Sequence, residues 1–399
     1  MEKMRCKDFA GKITFSLLLC VCMCVLISVF FVKNTGSNYA RANEMVWYVM
    51  KRTGDLQDIQ NRYTDCFWKK DDFINLNGWL ARLFGIRSYF KNKGIYITSD
   101  RWITGWYGKT STDYEIEQTV DFKNFLDTNG IKLLYVNEPV KYIDDSVFEK
   151  EFGMPSYSNR NLDVFLSRLD EAGVHYVDLR DGIRAEGLDV KKMFYRTDHH
   201  WTTPAGLWAT RKIAEGMNAW CGYSIDTGIY DKSNYIFREW KGSWLGEQGV
   251  LVAESYVGRD DYTEVKPNFE TSFTFKNYDG LEEGNFDGFI NEGIYDPQSN
   301  VNAHPSWHYS YLRRNVINNK VGYGKVLIMG DSYDYVVAPF ISLGVRECDF
   351  IVLRDYSEDF DLRKFILDNG YDTVLVCYAQ FMVGAHDYQG ANYRMFTFH

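Results

Sequence analysis

The segment RTDHHWT, residues 196–202, places a carboxylate beside two imidazoles. Asp198 and His200 are two positions apart, so on a loop their side chains can lie on the same side. The Asp198 carboxylate can then hold one ring nitrogen of His200 while the other nitrogen faces a reacting group, as a general base requires. His199 is expected to point elsewhere. The spacing predicts a proton relay that needs a nucleophile from another part of the chain.

A metal centre is the alternative interpretation of this segment, because adjacent Asp and His residues also bind divalent ions. A dinuclear site needs several further ligands at strand ends, and the remaining histidines are few and dispersed. His304 and His308 are four positions apart and can share a helix face, but no third ligand accompanies them. We therefore expect neither a metal ion nor any other cofactor.

Ser332 is the candidate nucleophile. It follows an apolar run of Val, Leu, Ile and Met, in the turn Gly330-Asp331-Ser332. In α/β proteins ligands lie beyond the carboxyl ends of the strands, where the start of the next helix offers free N–H groups to an oxyanion. Gly330 lets the backbone turn sharply, and the Ser332 N–H is the expected oxyanion donor. The alternative is that Ser332 merely caps the helix.

The elements that must position these residues follow an α/β pattern, in which short apolar runs alternate with amphipathic stretches of helical length. Thr203 is a suitable N-cap and Pro204 a suitable first-turn residue, so we expect a helix over 204–219 with Asp198 on the loop before it. Buried strands are predicted over 130–138, 174–179, 348–356 and 372–380, helices over 113–128, 161–173 and 359–369, and a strand, turn and helix over 325–344. The pattern predicts a parallel sheet with flanking helices.

Residues 222–320 differ from this pattern. They are rich in Gly, Asn, Asp and Tyr, contain short alternating stretches such as ETSFTFKNY at 270–278, and show little helical periodicity. This composition is typical of hairpins and loops. We expect a β/loop-rich insertion in the α/β domain.

The N-terminus carries an uninterrupted apolar stretch, ITFSLLLCVCMCVLISVFFV, residues 13–32. About 20 residues are long enough to cross the hydrocarbon layer as a helix, and the basic residues within 1–12 predict a cytoplasmic N-terminus. Residues 33–399 would then form an extracytoplasmic domain behind a transmembrane signal anchor in the cell membrane. A cleaved signal peptide, which would make the protein secreted, is the alternative, with an Ala-x-Ala site at 40–42.

Composition favours a folded domain and argues against a nucleic-acid partner. The 399 residues are 45% hydrophobic and 17% aromatic, enough for a large core. A net charge of −9 provides no field that attracts nucleic acid. The cysteines that follow the apolar stretch are Cys66, Cys221, Cys348 and Cys377. Their wide spacing indicates free thiols rather than a zinc site or a disulfide framework.

Beyond these residue-level inferences, the chain resembles the DHHW family, relatives of the alginate O-acetyltransferases AlgJ and AlgX with SGNH-hydrolase-like domains. Arg196-Thr-Asp-His-His-Trp-Thr202, followed far downstream by a strand and Gly-Asp-Ser-Tyr, is similar to the permuted motif order of that family. Looser similarity occurs at 74–90, at the Pro-x-Lys of 136–142, at 240–249 and at 352–378. The resemblance implies an SGNH-hydrolase-like fold over most of 33–399.

The resemblance also implies roles for individual residues. Asp198 orients, His200 is the base and Ser332 is the nucleophile, whereas His199 occupies the variable position of the motif. Beside the Ser332 N–H, the further candidates for the oxyanion or substrate are Gly242, Asn137, Arg354 and Trp201. Arg354 is a candidate for binding a sugar hydroxyl or carboxylate, and Trp201 is one of several aromatic side chains suited to stacking on sugars.

The expected function is that of an extracytoplasmic O-acetyltransferase acting on a cell-surface or exported polysaccharide. Since no acetyl-CoA exists outside the cell, the resemblance implies a membrane-bound O-acyltransferase partner that supplies acetyl groups. A carbohydrate esterase with the same triad is one alternative, because the acceptor depends on how the cleft binds sugar and excludes water. A non-enzymatic cell-envelope scaffold is the other.

Overall fold

The computed structural model describes residues 70–89, 94–277, 280–290, 315–388 and 391–399. The predicted transmembrane segment 13–32 and the pair His304 and His308 lie outside these residues. Within the described ranges, no helix is both long enough and apolar enough to span a bilayer. The chain divides into two units, Met1–Asn77 and Gly78–His399. Only the first turns of one helix are described in the first unit, and the site lies in the second.

Helices and strands alternate along the second unit. The helices are α1 (Lys70–Leu83, which begins in the first unit), α2 (Asp113–Thr128), α3 (Asp145–Phe152), α4 (Ser158–Glu171), α5 (Leu179–Ala185), α6 (Val190–Met193), α7 (Thr203–Trp220), α8 (Glu247–Val252), α9 (Glu254–Val257), α10 (Ala338–Ile341) and α11 (Leu362–Asn369). The strands are β1 (Ser88–Tyr89), β2 (Ile95–Ile97), β3 (Ile103–Gly105), β4 (Lys132–Glu138), β5 (Tyr176–Asp178), β6 (Tyr235–Trp244), β7 (Asp260–Pro267), β8 (Phe273–Asn277), β9 (Gly280–Gly284), β10 (Asn315–Asn318), β11 (Lys325–Met329), β12 (Glu347–Ile351) and β13 (Thr373–Ala379).

The main sheet has the strand order β5-β4-β13-β11-β12-β10-β8-β9. The first five strands are parallel, as the sequence predicts for strands separated by helices. The last three are antiparallel and come from the predicted β/loop-rich insertion, so the main sheet is mixed at this edge. The cause lies in the connections. A parallel neighbour needs a crossover of a dozen or more residues, usually helical, whereas β8 and β9 are only two residues apart in the sequence.

The remaining strands form two small sheets, β1-β2-β3 and the long hairpin β6-β7. The register of the hairpin shifts between Trp240 and Trp244, where the chain bends toward α8. Strands β6 to β9 and the short helices α8 and α9 all fall within the predicted insertion. The insertion therefore contributes both to the main sheet and to the surroundings of the site.

The core lies around the parallel strands, of which β13 is buried along its whole length and β11 along all but its first residue. Helix α7 packs closely on this layer through two glycines. A Cβ on Gly206 would lie 2.6 Å from Val336, and one on Gly216 would lie 2.5 Å from Val177. The helix is capped by Thr202, whose hydroxyl accepts a hydrogen bond from the Ala205 N–H, and not by Thr203 as predicted. The helix thus begins one residue earlier and fixes the end of the preceding loop.

Candidate active site

The loop that carries Asp198 and His200 is closed at its base by main-chain pairing. Phe194 and Trp201 form an isolated antiparallel bridge. The Tyr195 N–H donates to the His200 carbonyl at 3.1 Å, and the Thr202 N–H donates to the Met193 carbonyl at 2.8 Å. The residues between these bonds can present their side chains in only a few directions, because both ends of the loop are held together.

Within this loop, Asp198 and His200 form the predicted contact. The Nδ1 atom of His200 lies 2.5 Å from Oδ1 of Asp198, and the His200 N–H donates to the same oxygen at 3.0 Å. Asp198 is completely buried and His200 is 3% exposed. A carboxylate so placed selects the tautomer with hydrogen on Nδ1 and leaves Nε2 as the acceptor.

The Nε2 atom of His200 lies 2.7 Å from Oγ of Ser332. This is hydrogen-bond distance, at which the hydroxyl proton can pass to the imidazole. Carboxylate, imidazole and hydroxyl therefore form one continuous chain of hydrogen bonds. Ser332 remains partly exposed while its two partners are buried, so the chain of bonds opens to solvent only at the serine.

The second oxygen of Asp198 is held by the insertion. Oδ2 accepts a hydrogen bond from the Glu247 N–H at 2.8 Å, at the start of α8. The preceding residue, Gly246, packs against the loop so tightly that a Cβ there would lie 2.4 Å from the Asp198 Cβ. Its N–H donates to the Thr197 hydroxyl at 2.8 Å. With one oxygen on His200 and the other on Glu247, the carboxylate has a single orientation.

Asp260, the first residue of β7, anchors the residues just before Asp198. Its Oδ1 accepts from the Arg196 N–H at 3.0 Å, and its Oδ2 accepts from the Thr197 N–H at 2.8 Å. The Thr197 hydroxyl donates to Oδ2 as well, at 2.5 Å. Hydrogen bonds to an ionised acceptor are about twice as strong as neutral ones. The insertion therefore fixes the acid–base loop from two sides.

Ser332 begins a 3-10 turn, Ser332–Val336, rather than the regular helix that the sequence predicts, and α10 follows it. Asp331 shapes this turn with both carboxylate oxygens. One accepts from the Tyr333 N–H and the other from the Ala379 N–H at the end of β13, each at 2.9 Å. The turn of Ser332 is thereby tied to the adjacent strand of the main sheet.

Gly330 is required for close packing rather than for an unusual backbone angle. A Cβ at this position would lie 2.2 Å from Oδ2 of Asp334 and 2.8 Å from the Phe350 ring. Asp334 uses that oxygen to accept a hydrogen bond from the Asp331 N–H at 3.0 Å, which completes a capping box. Glycine is therefore needed at position 330 because a side chain would collide with Asp334 and Phe350, and not because the backbone turns sharply there as predicted.

Trp201 links the loop of Asp198 and His200 to the turn that begins at Ser332. It is 2% exposed, and its indole N–H donates to the Tyr333 carbonyl at 2.9 Å. In return, the Tyr333 hydroxyl donates to the His199 carbonyl at 2.6 Å. These reciprocal bonds position His200 opposite Ser332. Trp201 does not line the cleft, and the expectation that it binds substrate is wrong.

Three buried carboxyl groups lie close together beside the turn that begins at Ser332. Oxygen atoms of Glu138, Asp331 and Asp334 lie within 4.8 Å of one another, and all three residues are buried. Among the described residues, no N–H or hydroxyl group donates to the carboxyl oxygens of Glu138, whose side-chain hydrogen-bond neighbour is the Asp334 carboxyl. Burial, together with the charges of Asp334 and Asp331, raises the pKa of Glu138 well above its ordinary value. Burial does the same for Asp334. Protons therefore keep this group from carrying its full negative charge near neutral pH.

Ser332 opens into a cleft of about 580 Å³. Apolar and aromatic side chains share its wall with amides and one guanidinium. The lining residues include Trp106, Tyr107, Asn161, His199, Gln248, Arg354, Gln380 and Phe381. Trp106 is 40% exposed, the degree of exposure expected of a ring available for stacking. The size and the mixed wall suit a sugar residue or another small polar substrate.

The remaining candidates from the sequence fall into two groups. Arg354 lines the cleft with Ser332. Gly242 is exposed and outside the cleft wall, and its N–H donates to the Asp261 carboxylate at 2.7 Å, so it is not an oxyanion donor. Asn137 is completely buried on β4, also away from the cleft wall, and its amide donates to Asp178 at 3.0 Å. Both expectations are corrected for the same reason, since these donors already have partners.

His199 lies closer to the cleft than its expected orientation suggests. Its ring is one-third exposed, lines the cleft, and has its centroid 3.9 Å from that of His200. Its Nδ1 atom lies 3.4 Å from Oδ1 of Asp198, farther than the 2.5 Å of His200. His199 therefore neighbours the reacting groups without a direct hydrogen bond to Ser332.

A metal ion has little to bind at the acid–base segment. Asp198, His199 and His200 come close enough together to form one of two possible ligand groups in the described residues, the other being the buried carboxyl groups. The oxygens of Asp198 already accept from His200 and Glu247, and Nε2 of His200 faces Ser332. The donor atoms of Asp198 and His200 are therefore engaged by the protein itself.

The site contains residues that the motifs do not reveal. Asp260, Gly246, Glu247 and Glu138 come from distant segments and lack a local sequence signal of function. Gly246 and Glu247 fall within 240–249, where the sequence similarity noted above was the only indication. Lys141 falls within the Pro-x-Lys of 136–142 in the same way. These residues act through contacts that only the folded chain creates.

Comparison with known proteins finds similarity to SGNH-hydrolase-like domains. Residues 109–239 match the family described as the SGNH hydrolase-like domain of the acetyltransferase AlgX. The matched segment includes Asp198 and His200 but ends before Ser332. A search of curated protein sequences found no match.

Solved structures share the fold over most of the chain. PatB1 of Bacillus cereus, determined with a sulfonyl adduct, is 19% identical with a TM-score of 0.60, over 76% of this chain and 97% of that one. A DHHW family protein of Eubacterium siraeum is 18% identical with a TM-score of 0.56, over 75% and 95% of the two chains. The resemblance to the DHHW family and to AlgX-type SGNH hydrolase-like domains is therefore confirmed. At these identities the structures establish the fold, not the activity.

Proposed function

We propose that the protein is an O-acetyltransferase that works through Asp198, His200 and Ser332. The observation that carries the proposal is the 2.7 Å contact between Nε2 of His200 and Oγ of Ser332, with Asp198 on the other ring nitrogen. The description of the matched AlgX domain as belonging to an acetyltransferase supports acyl transfer as the reaction class. A serine that is hydrogen-bonded to an oriented imidazole is suited to forming an acyl ester.

In the first half of the reaction, Oγ of Ser332 attacks the carbonyl carbon of an acetyl ester while Nε2 of His200 takes the hydroxyl proton. The carbonyl oxygen becomes an oxyanion, for which the Ser332 N–H is the proposed donor. No described residue accepts a hydrogen bond from that N–H. The C–O bond to the donor alcohol then breaks, and His200 returns the proton to the departing oxygen. The product is acetyl-Ser332.

In the second half, a sugar hydroxyl lies where the donor alcohol was. His200 takes its proton, the hydroxyl oxygen attacks the acetyl carbon, and the bond to Oγ of Ser332 breaks. The proton passes from His200 back to Ser332, which restores the starting state. Exposed Trp106 and the Arg354 guanidinium on the cleft wall are the proposed contacts for the sugar acceptor.

The proposed acceptor is a cell-surface or exported polysaccharide, and the proposed location is the outer side of the cell membrane, behind the anchor predicted at 13–32. Both rest on the sequence. An extracytoplasmic site has no acetyl-CoA, so the proposal includes a membrane-bound O-acyltransferase partner as the source of acetyl groups.

The reaction is tested with the purified full chain, an activated acetyl ester as donor, and an oligosaccharide series as acceptor. Acetylated oligosaccharide that disappears in Ser332→Ala supports the transferase. A carbohydrate esterase would instead release acetate in a Ser332-dependent manner without any acetylated sugar. The triad geometry serves either reaction, and the partition of acetyl groups between water and sugar distinguishes them.

A covalent probe separates both enzymes from a non-enzymatic scaffold. A sulfonyl adduct is part of the PatB1 structure, which makes a fluorescent sulfonyl fluoride a suitable reagent. We expect labelling of wild type and none of Ser332→Ala. Equal labelling of the two proteins, or no labelling of either, contradicts the proposed nucleophile.

A further inference from the structure

Lys141 has no part in the reaction as described, yet its amine bridges β3 and the segment that carries Asp198 and His200. It follows β4 in the Pro-x-Lys of 136–142 and reaches toward β3. Its Nζ atom donates to the Ile103 carbonyl at 2.6 Å and to the Arg196 carbonyl at 3.1 Å. Arg196 lies two residues before Asp198, so the second bond fixes the entry to the acid–base loop.

The Arg196 carbonyl is a junction between the small sheet and the loop. It accepts from the Ile103 N–H at 3.0 Å as well as from Lys141. Ile103 and Arg196 are already joined by a backbone hydrogen bond. The Lys141 amine adds a further link, because it donates to the carbonyl of each residue. Its stem passes the Trp102 ring, whose centroid lies 5.2 Å from Nζ.

We infer that Lys141 is a positioning residue for acyl transfer, which holds the Arg196 carbonyl against β3 and thereby sets the orientation of Asp198 and His200 toward Ser332. Asp198 and Asp260 supply the negative charge that faces this amine, and the Arg196 guanidinium supplies the opposing positive charge. The inference rests on the proposed function and adds a residue to it.

The charge of the amine has a consequence for the base. Burial lowers the pKa of Lys141 to about 7, while Asp198 and Asp260 act in the opposite direction. Below pH 7 the amine is mostly protonated, and a positive charge on this side of Asp198 disfavours a second positive charge on His200. Loss of Lys141 would therefore let His200 retain a proton at higher pH, where it can no longer act as a base.

The matched control is Lys191. Its ammonium lies 5.9 Å from the same Trp102 ring, but it pairs with Asp100 and is 57% exposed. It has no hydrogen bond to the acid–base loop among those of the described residues. Lys191→Met removes a second lysine that lies near the same ring and leaves the Arg196 carbonyl untouched.

The test compares wild type, Lys141→Met, Lys141→Arg and Lys191→Met as full chains hydrolysing an activated acetyl ester, below their melting temperatures. We expect Lys141→Met to lower kcat by roughly 10- to 100-fold with KM nearly unchanged, since misplaced reacting groups cost about that much. For Lys141→Met, the acid limb of the pH profile, that is, the pH below which kcat/KM falls, should move up by about half a pH unit. Lys141→Arg, which keeps a charge and donors, should recover most of kcat, and Lys191→Met should match wild type.

Kcat of Lys141→Met within about twofold of wild type overturns the inference, as does an unmoved acid limb. If Lys141→Met fails to fold, Lys141→Arg decides: recovery of most of kcat with the limb at its wild-type pH supports the inference, and any other result overturns it. The proposed function fails separately, when wild type itself shows no Ser332-dependent hydrolysis.

Discussion

Gly246 and Asp198 lie in contact across a sequence separation that no local motif spans. The Cα of Gly246 approaches so closely that an added Cβ would lie 2.4 Å from the Asp198 Cβ and 2.6 Å from the Thr197 carbonyl oxygen. A side chain at position 246 would therefore have to displace Asp198 or the start of α8. The start of α8 and the loop of Asp198 and His200 are thus packed with no room for a side chain between them.

Gly246→Ala is expected to destabilise the protein by about 1–3 kcal/mol and to lower kcat, because overpacking must move the backbone at Asp198. The free energy of unfolding in urea and the rate of acetyl ester hydrolysis measure the two effects. Gly322→Ala is the control, since no atom lies within 4 Å of a Cβ there. Equal free energies of unfolding for Gly246→Ala and Gly322→Ala would show that α8 can shift to admit the methyl group without displacing Asp198.

Asp198→Asn is expected to reduce kcat by roughly 10³-fold or more while the fold is retained. An amide can present its N–H to His200 and favour the tautomer that has its hydrogen on Nε2, which cannot accept the Ser332 proton. The measurement is single-turnover acetylation of Ser332, followed by mass spectrometry of the intact chain. Normal acetylation in the variant would exclude Asp198 as the orienting acid.

Asp260→Asn is expected to lower the free energy of unfolding by about 1–3 kcal/mol and to lower kcat more than it raises KM. One of the carboxylate oxygens that accept from Arg196 and Thr197 becomes an N–H₂ group that faces a donor. Asp261→Asn is the neighbouring control, because Asp261 accepts from Gly242 and Lys241 at the surface. An equal loss of kcat in both variants contradicts the specific role of Asp260.

Glu138→Gln is expected to make stability less dependent on pH. Burial and two neighbouring carboxyl groups raise the pKa of Glu138. At a pH above the ordinary Glu pKa, the folded state therefore keeps a proton that the unfolded chain has released. Stability is therefore complete below the ordinary Glu pKa and falls as pH rises toward the folded pKa, by about 1.4 kcal/mol per pH unit for one proton. An amide has no proton to lose, and the slope for the variant should be smaller by that amount.

Urea unfolding of both proteins at several pH values between 5 and 8 measures the slopes for Glu138→Gln. Identical slopes would mean that Glu138 is ionised in the folded state. A stabilising effect of added Ca²⁺ or Mg²⁺ on wild type alone would have the same meaning, because the buried carboxyl groups would then hold a cation instead of protons.

The sequence was most informative where a signal is local. Helix α2 has the predicted bounds 113–128, and the parallel strands follow from apolar runs separated by helical stretches. The relation between His200 and Ser332 could be proposed because each residue type has a chemical requirement that the other meets. The antiparallel edge could not be placed, since pairing partners of short alternating stretches depend on connections that carry no periodic pattern.

The supporting contacts could not be predicted for a related reason. Asp260 resembles any acidic residue in a loop until the fold brings it to the amides of Arg196 and Thr197. Gly242 and Asn137 were candidates because the resemblance implies a glycine and an asparagine as oxyanion donors, but each already donates to a carboxylate in the folded chain. Hydrogen-bond partners distant in sequence decide whether a donor is available.

The bond between the Asp331 carboxylate and the Ala379 N–H has a consequence for the newly made chain. The acid and the base emerge first, whereas the turn of Ser332 acquires its final hydrogen bond only when β13, the last strand, enters the sheet. An unfinished chain thus holds a base without a correctly shaped nucleophile. The reactivity proposed for Ser332 would therefore arise only after β13 has been made and has entered the sheet.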